Sequence, residues 1–276
     1  MKRYMARCAF AAAVAATWLP GTARSQTPPV SAPTPTTAPA RVPQPQELLQ
    51  LAEKARKLRS VHIRGKGVVD DPDAKLPAEL KEFRFEIWAV PPACKTALEI
   101  PSREVRVCDG KYAYTYREAP AQAPRAQRRR VTQAGFYRSL GLAAVVVDAT
   151  SGYANLTASV KFVPIPAPAA YEKQVPGLKW FRLESAARTP HYLLRDASSV
   201  RIGISPADGL VRVLTARLKV KEPQPTATVF FETVRLEQVD PRSLKLPAAA
   251  GKAKWTDADT GKEMPVPRGV LSAPKP

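Results

Sequence analysis

The sequence predicts an α+β fold in which a strongly curved antiparallel sheet, an open or half β-barrel, has a helix packed on its concave face. Extended runs with period-two alternation recur along the chain, and most are separated by short turn signals. One segment near the start of the foldable part has helical periodicity instead. Because a long antiparallel sheet curls and its apolar face must be covered, both kinds of segment are expected in one domain.

The first 45 residues carry export and linker signals. Basic residues precede an apolar run over residues 8–19, and a small-residue cleavage pattern follows. Residues 1–25 are therefore predicted to be a secretory signal peptide. Residues 26–45 are rich in Pro, Thr and Ala and are predicted to be a disordered linker. We expect an exported, periplasmic protein that is soluble once the signal peptide is cleaved.

The rest of the chain is predicted to form a single domain over residues 46–247, followed by a loose basic tail over residues 248–276. The formal net charge of the 276-residue sequence is +19. Such an excess favours contact with anionic surroundings, although it does not determine the fold. The oligomeric state is not predicted.

A helix is predicted over residues 46–60 because its apolar residues recur at helical spacing. Strands are predicted to follow from Val61 and over residues 83–90. A three-strand meander then lies between Cys94 and Tyr116, with turns at residues 101–102 and 109–110.

The second half of the chain is predicted to continue as hairpins. Alternation indicates strands over residues 179–185, 191–195, 200–204, 210–221 and 226–237. The apolar segment 136–147 contains Gly141 and a β-branched tail, so its pattern leaves helix and strand as alternatives.

The search for catalytic or metal-binding chemistry finds no motif. His62 and His191 are the only histidines, and neither lies in a metal-ligand spacing or a nucleophile motif. We therefore expect no enzyme activity, no cofactor and no bound metal.

Cys94 and Cys108 are the strongest signal for a specific site. Two cysteines on neighbouring predicted strands of an exported domain are expected to form a disulfide. A two-residue turn at Pro101 and Ser102 would place Cys94 opposite Asp109, so the bridge requires a bulge or a longer turn that shifts the register by one residue.

An arginine-rich stretch follows the meander, in a segment predicted to be a loop. It has few neighbouring acids, so it is a candidate for contacts with anionic groups, and the alternative is an ordinary solvated surface. No aromatic interleaving or DNA-binding motif accompanies it, so nucleic acid is not expected as a partner. The candidate anion contacts are Arg125, Arg128, Arg129 and Arg130.

Several short motifs resemble the family of periplasmic lipoprotein carriers and sorting proteins, the LolA/LolB-like family. They are an amphipathic helix running into a first strand, a strand over residues 85–92 that ends in a proline corner, and the sequence Asp109-Gly-Lys followed by Tyr114 and Tyr116. Residues 202–210 are similar to a later hairpin of that family.

The resemblance implies a non-catalytic protein that binds lipid or lipoprotein acyl chains in an apolar cavity. The alternative is an envelope sensor or interaction module of the same fold, whose basic surface binds an anionic polymer, a membrane surface or a partner protein. An ordinary filled core remains the other interpretation of the apolar residues. The candidate cavity residues are Phe85, Ile87, Leu98, Val105, Val107, Tyr114, Tyr116 and Phe181.

Overall fold

The computed structural model describes residues 42–72, 81–99, 103–119, 122–133, 135–186, 191–219, 223–236 and 238–272. The predicted signal peptide and most of the predicted linker lie outside these residues.

Twelve strands form the sheet in this part of the chain. They are β1 (Val61–Asp70), β2 (Glu82–Val90), β3 (Ala93–Glu99), β4 (Arg103–Cys108), β5 (Tyr112–Glu118), β6 (Arg125–Arg130), β7 (Val160–Ile165), β8 (Lys179–Ser185), β9 (Ala197–Ile204), β10 (Val211–Leu218), β11 (Thr226–Leu236) and β12 (Lys254–Asp257).

The helices of the described residues are short. They are α1 (Gln46–Arg56), α2 (Phe136–Leu140), α3 (Ala143–Thr150), α4 (Ala154–Thr157), α5 (Ala169–Glu172) and α6 (Tyr192–Arg195). The described residues also contain 3-10 turns at Pro241–Ser243, Ala248–Lys252 and Arg268–Val270.

The sheet is open and almost entirely antiparallel. Its strand order is β12-β6-β5-β4-β3-β2-β1-β11-β10-β9-β8-β7, and the described chain does not pair β12 with β7. Among the named strands of the described chain, β12 and β6 are the one pair that runs parallel. Strands adjacent in sequence are mostly adjacent in the sheet, so the predicted hairpins and the large antiparallel sheet are confirmed.

The apolar segment 136–147, whose pattern is compatible with either a helix or a strand, is helical. Residues 136–147 fall into α2 and α3, and Gly141 separates them with a φ of 61°. All eight residues of α3 are buried, and this helix contacts α1, β2, β3 and β10. Apart from Asp148 and Thr150, the residues of α3 are apolar, and a helix with so little polar surface belongs in a core.

The strand prediction over residues 191–195 is wrong, because the structure has α6 there. The Nδ1 atom of His191 accepts a hydrogen bond from the backbone N–H of Leu193 at 3.3 Å. This N-terminal cap satisfies one of the backbone donors that a helix start leaves free, and it favours helix over strand.

One face of the sheet and the helices share the main apolar core. It contains the buried stripe of α1, almost all of α3, and inward residues of β1, β2, β8 and β9. The predicted helix over residues 46–60 is thus confirmed in type, and it ends at Arg56.

Gly209 lets the β9–β10 turn lie against α1. It has a φ of +73°, and a Cβ atom built there would lie 2.0 Å from the carbonyl oxygen of Leu51. The carbonyl of Gly209 also accepts a hydrogen bond from the buried Tyr153 hydroxyl at 2.6 Å. A side chain at position 209 would push α1 away from the sheet.

The C-terminal segment differs from the loose tail that the sequence predicts. Strand β12 pairs with the edge strand β6, and Trp255 is only 1% exposed. Leu246, Ala250 and Trp255 form a second core with residues of β4, β5 and β6 on the face of the sheet opposite the helices. A segment rich in Ala, Lys and Pro is ordered here because one tryptophan and a few small apolar residues fit the aromatic surface of β5.

Candidate functional site

The structure divides the eight candidate cavity residues between the two faces of the sheet. Phe85, Ile87, Leu98 and Phe181 are buried in the core beneath the helices. Val105, Val107, Tyr114 and Tyr116 are buried in the second core beneath the C-terminal segment. The set therefore does not surround one common space.

The register of β3 against β4 explains the division. Cys94 lies opposite Cys108, and Leu98 lies opposite Glu104, which is one residue away from the register that a two-residue turn would give. A shift of one residue moves every side chain of a strand to the other face. Val105 and Val107 consequently point away from the helices, and the charged Glu104 and Arg106 point toward them.

The core beneath the helices is densely filled where the sequence predicts cavity residues. Ile63, Ile87, Phe162 and Phe181 are all fully buried, and neighbouring aromatic rings such as Phe162 and Phe181 pack edge to face at 5.9 Å. The cavity beneath α6, between Tyr192 and Val200, has a volume of only about 20 Å³. At these positions the filled-core interpretation fits the structure.

An open groove between α1 and α4 offers much more space. Its volume is about 570 Å³, within the range of about 300–1,000 Å³ that is typical of small-ligand sites. Leu49 is 46% exposed at this groove, which is unusual for a large apolar side chain. The lining residues are Val42, Gln44, Leu48, Leu49, Ala52, Arg56, Gly152, Ala154, Thr157 and Ala158.

Two local features shape the ends of the groove. The Gln44 side chain donates to the carbonyl of Val160 at 2.8 Å and accepts from the N–H of Phe162 at 3.2 Å, which ties the start of α1 to the edge strand β7. Across the groove, Gly152 has a φ of +72°, and a Cβ atom there would lie 2.1 Å from Nε of Arg56. The glycine therefore leaves room for the Arg56 guanidinium at the rim.

Asp148 holds α4 in position. Its buried carboxylate accepts hydrogen bonds from the Tyr137 hydroxyl at 2.8 Å, from the backbone and side chain of Asn155 at 2.8 and 2.9 Å, and from the backbone of Leu156 at 3.0 Å. Burial raises the pKa of Asp148, although these hydrogen bonds favour the carboxylate. The residue caps a helix and supports the groove wall.

The arginine run lies in β6 rather than in a loop, so its residues alternate between the two faces. Arg128 faces the C-terminal segment, where its guanidinium lies 2.5 Å from Asp257 and 4.7 Å from the Tyr112 ring. Arg129 points toward the helices, and Arg125 and Arg130 are exposed. The four residues do not form one cationic patch, and Arg128 already has an anionic partner.

A buried ion network is the main polar feature that the sequence did not indicate. Glu104 and Arg106 are both buried; Arg106 donates to Glu104 at 2.9 Å and to the carbonyl of Ser139 at 2.9 Å. Arg117 donates to the other oxygen of Glu104 at 2.6 Å. One feature of the sequence could have indicated this network. Pairing Cys94 with Cys108 requires a shift of one residue in the β3–β4 register, and that shift turns Glu104 and Arg106 toward the helices.

The two cysteines occupy directly opposed positions, so the register that the predicted bridge requires is present. The structure has both as free, buried thiols. The hydrogen bond to Cys108, together with burial, raises the pKa of the Cys94 thiol well above its ordinary value. The disulfide itself therefore stays a prediction.

In protein exported to an oxidising compartment, the Cys94–Cys108 disulfide is expected to form and to raise the free energy of unfolding by about 3 kcal/mol. The measurement is alkylation after denaturation without reductant, followed by peptide mapping, together with unfolding curves with and without reductant. A Cys94→Ala/Cys108→Ala variant should be insensitive to reductant. Alkylation of both cysteines in unreduced protein would contradict the bridge.

The two histidines have structural surroundings. The His62 ring stacks on Trp88 with centroids 5.0 Å apart, and its Nε2 lies 3.3 Å from Glu86. Burial lowers the pKa of His191, which caps α6, to about 4.

In the described ranges, no group of three or more His, Cys, Asp or Glu side chains is arranged to hold a metal ion. Within the same ranges, no helix has the length and apolar character to cross a membrane.

No protein-family model and no curated protein matches the sequence. Solved structures do show similarity. A DUF1329 family protein from Desulfovibrio piger is 8% identical with a TM-score of 0.34, and the match covers 72% of this chain and 98% of that one. An outer membrane lipoprotein-sorting protein domain from Vibrio parahaemolyticus is 9% identical with a TM-score of 0.32, covering 71% and 95%. The family that the sequence resembles is thus represented among the similar structures.

The Pseudomonas aeruginosa MucA/MucB complex is a third similar structure. It is 12% identical with a TM-score of 0.36, and the match covers 72% of this chain and 59% of that one. At these identities and scores the likeness identifies neither a ligand nor a partner for this chain.

Proposed function

We propose that this protein is an exported, non-catalytic binding protein for a hydrophobic, acyl-bearing ligand such as a lipid or the acyl chains of a lipoprotein. The observation that carries the proposal is the groove between α1 and α4. It combines a volume of about 570 Å³ with apolar side chains from both helices. Burying one methylene group contributes about 0.8 kcal/mol, so part of an acyl chain would give useful affinity.

The groove suits an amphipathic ligand. Leu48, Leu49 and Ala52 supply an apolar wall, and the exposed Arg56 stands at the rim. An acyl chain on this wall would place a carboxylate or phosphate headgroup within reach of the guanidinium, which pairs well with both groups.

The contacts of α3 support the expected position of the helices on the concave face. This helix contacts both β3 and β10, which are separated by β2, β1 and β11. In a flat sheet those two strands would be about 19 Å apart, whereas a helix with its side chains is about 10–12 Å wide. Bending of the sheet around the helix would account for both contacts.

The test is binding of a fluorescent fatty acid, combined with mass spectrometry of lipid extracted from the purified protein. Leu49→Glu is expected to weaken binding about ten-fold or more, because it replaces apolar contact with a charge. Leu236→Glu is the matched control, since Leu236 is the other large apolar residue of the described chain that is clearly exposed, at 36%. It lies at the end of β11 and should leave binding unchanged.

Burial of the acyl chain depends weakly on salt, so most of the affinity should persist at high ionic strength, and only the contribution of the exposed Arg56 should be screened. A wild-type protein that carries no lipid and does not bind the fatty acid would refute the proposal. Equal loss of binding in the two variants would place the site elsewhere.

A further inference from the structure

The helix-facing side of β4, β5 and β6 is basic, unlike the apolar face of the strands beside it. Arg106 lies opposite Thr115, which lies opposite Gln127, and Arg129 is two residues further along β6. Arg106 and Arg129 therefore share one face, two strands apart. Arg117 and Arg125 lie on this face as well.

Two helices border the same surface. Arg106 donates from Nη1 to the carbonyls of Arg138 and Ser139, at 3.4 and 2.9 Å, which places α2 directly above it. The Tyr137 ring meets the His191 ring edge to face at 4.8 Å and so ties α6 to α2. Tyr192 follows on α6, with the Arg195 guanidinium 5.3 Å from its ring centroid.

Neither Arg129 nor Arg138 forms an ion pair with an acidic side chain in the described part of the chain. Glu104 is bound by Arg106 and Arg117, and Asp196 is bound by Arg195. Within the described part of the chain, Arg129 and Arg138 make no side-chain hydrogen bond or ion pair. Both are partly exposed, so a ligand can reach them.

The surroundings of Arg129 disfavour another cation. Burial is the main cause that lowers the pKa of Arg129, and the positive charges of Arg138 and Arg106 lower this pKa further. The negative charge of Asp259 raises it. Among the described residues, the hydroxyls of Ser139 and Thr96 are buried and have no hydrogen-bond partner. Ser139 follows Arg138 on α2, and Thr96 lies opposite Arg106. The surface thus presents two guanidinium groups that form no ion pair among the described residues.

We propose that Arg129 and Arg138, with Arg106 behind them, bind a phosphate-bearing anion. A phosphate monoester carries a charge of about −1.5 to −2 near neutral pH, which matches two guanidinium groups that form no ion pair in the described chain. Its several acceptor oxygens can take bidentate hydrogen bonds from the planar guanidinium groups and one from the Tyr192 hydroxyl at the edge. A monocarboxylate would neutralise only one of them.

This site is separate from the groove and does not depend on the proposed function. The lining of the groove comes from α1, α4 and their flanking residues, whereas the basic surface is formed by β4, β6, α2 and α6. Leu49→Glu should therefore leave phosphate binding unchanged, and loss of the arginines should leave fatty-acid binding unchanged.

The test is a calorimetric titration of the full chain with inorganic phosphate at constant ionic strength. Arg129→Gln and Arg138→Gln are each expected to weaken binding about ten-fold or more, and Arg129→Lys should be intermediate because it keeps the charge but loses the planar fork. Arg130→Gln is the matched control from the same run, since Arg130 is exposed and faces the C-terminal segment. Thermal unfolding checks that each variant folds.

Sedimentation with phosphatidylcholine vesicles, with and without phosphatidic acid, distinguishes a lipid phosphate from a soluble one. Arginine-dependent binding to phosphate alone supports a soluble ligand, and arginine-dependent binding to the phosphatidic acid vesicles supports a lipid headgroup. The proposal is overturned if neither probe binds, if the Gln variants bind like the Arg130→Gln control, or if acetate binds as tightly as phosphate.

Discussion

Replacing Trp255 by Ala is expected to lower the free energy of unfolding by about 3–5 kcal/mol, the usual loss for a buried tryptophan. The side chain is 1% exposed and packs edge to face on Tyr114, with ring centroids 6.4 Å apart. Its Nε1 atom donates to the carbonyl of Ala250 at 2.9 Å. Truncation therefore removes packing and opens a cavity. It also removes the shorter of the two hydrogen bonds to the Ala250 carbonyl, which keeps only the N–H of Ala253 at 3.3 Å. Denaturant unfolding of the purified variant measures the effect.

Trp88→Ala is the matched control. Trp88 lies on the open part of the same face, between the ring of His62 and the ammonium group of Lys95, and it is only partly buried. Its loss should cost about 0.5–1.5 kcal/mol, the range of exposed aromatic and cation contacts. If Trp255→Ala unfolds like the wild type, the C-terminal segment does not stabilise the domain.

Changing Glu104 to Gln is expected to destabilise the protein by about 3–5 kcal/mol, because it leaves the buried guanidinium of Arg106 without its counter-ion. The side chains of Glu104 and Arg106 are only 5% and 6% exposed. The substitution keeps the size of the side chain, so the loss would report charge rather than packing. Unfolding curves at neutral pH measure it.

Glu86→Gln is the control for an ion pair in a more exposed position. Glu86 pairs with Arg64 at 2.9 Å, where the arginine side chain is 60% exposed. Exposed pairs contribute about 0–1 kcal/mol, so this variant should be close to wild type. Similar losses for the two Glu variants would show that the buried network is as solvated as the exposed pair.

The sequence by itself determined the character of most elements. Alternating residues in β2, β5, β8 and β9 predicted strands, and the apolar stripe of α1 predicted the helix that the structure contains. Turn residues at the β9–β10 junction and the Asp109-Gly110 pair predicted the hairpins. These features depend on neighbours along the chain, so local patterns are enough to predict them.

Only the tertiary structure decided which residues meet. A one-residue change in the β3–β4 register separated Val105 and Val107 from Leu98 and turned Arg106 toward α2. Local composition predicts a loose C-terminal segment, but Trp255 packs on Tyr114 and the segment forms strand β12. Tyr114 is far from Trp255 in the sequence, so a local pattern could not predict this contact. The groove is formed by α1 and α4 together, and these helices are distant in the sequence. Strand register and long-range packing depend on contacts between distant segments, and local periodicity does not encode them.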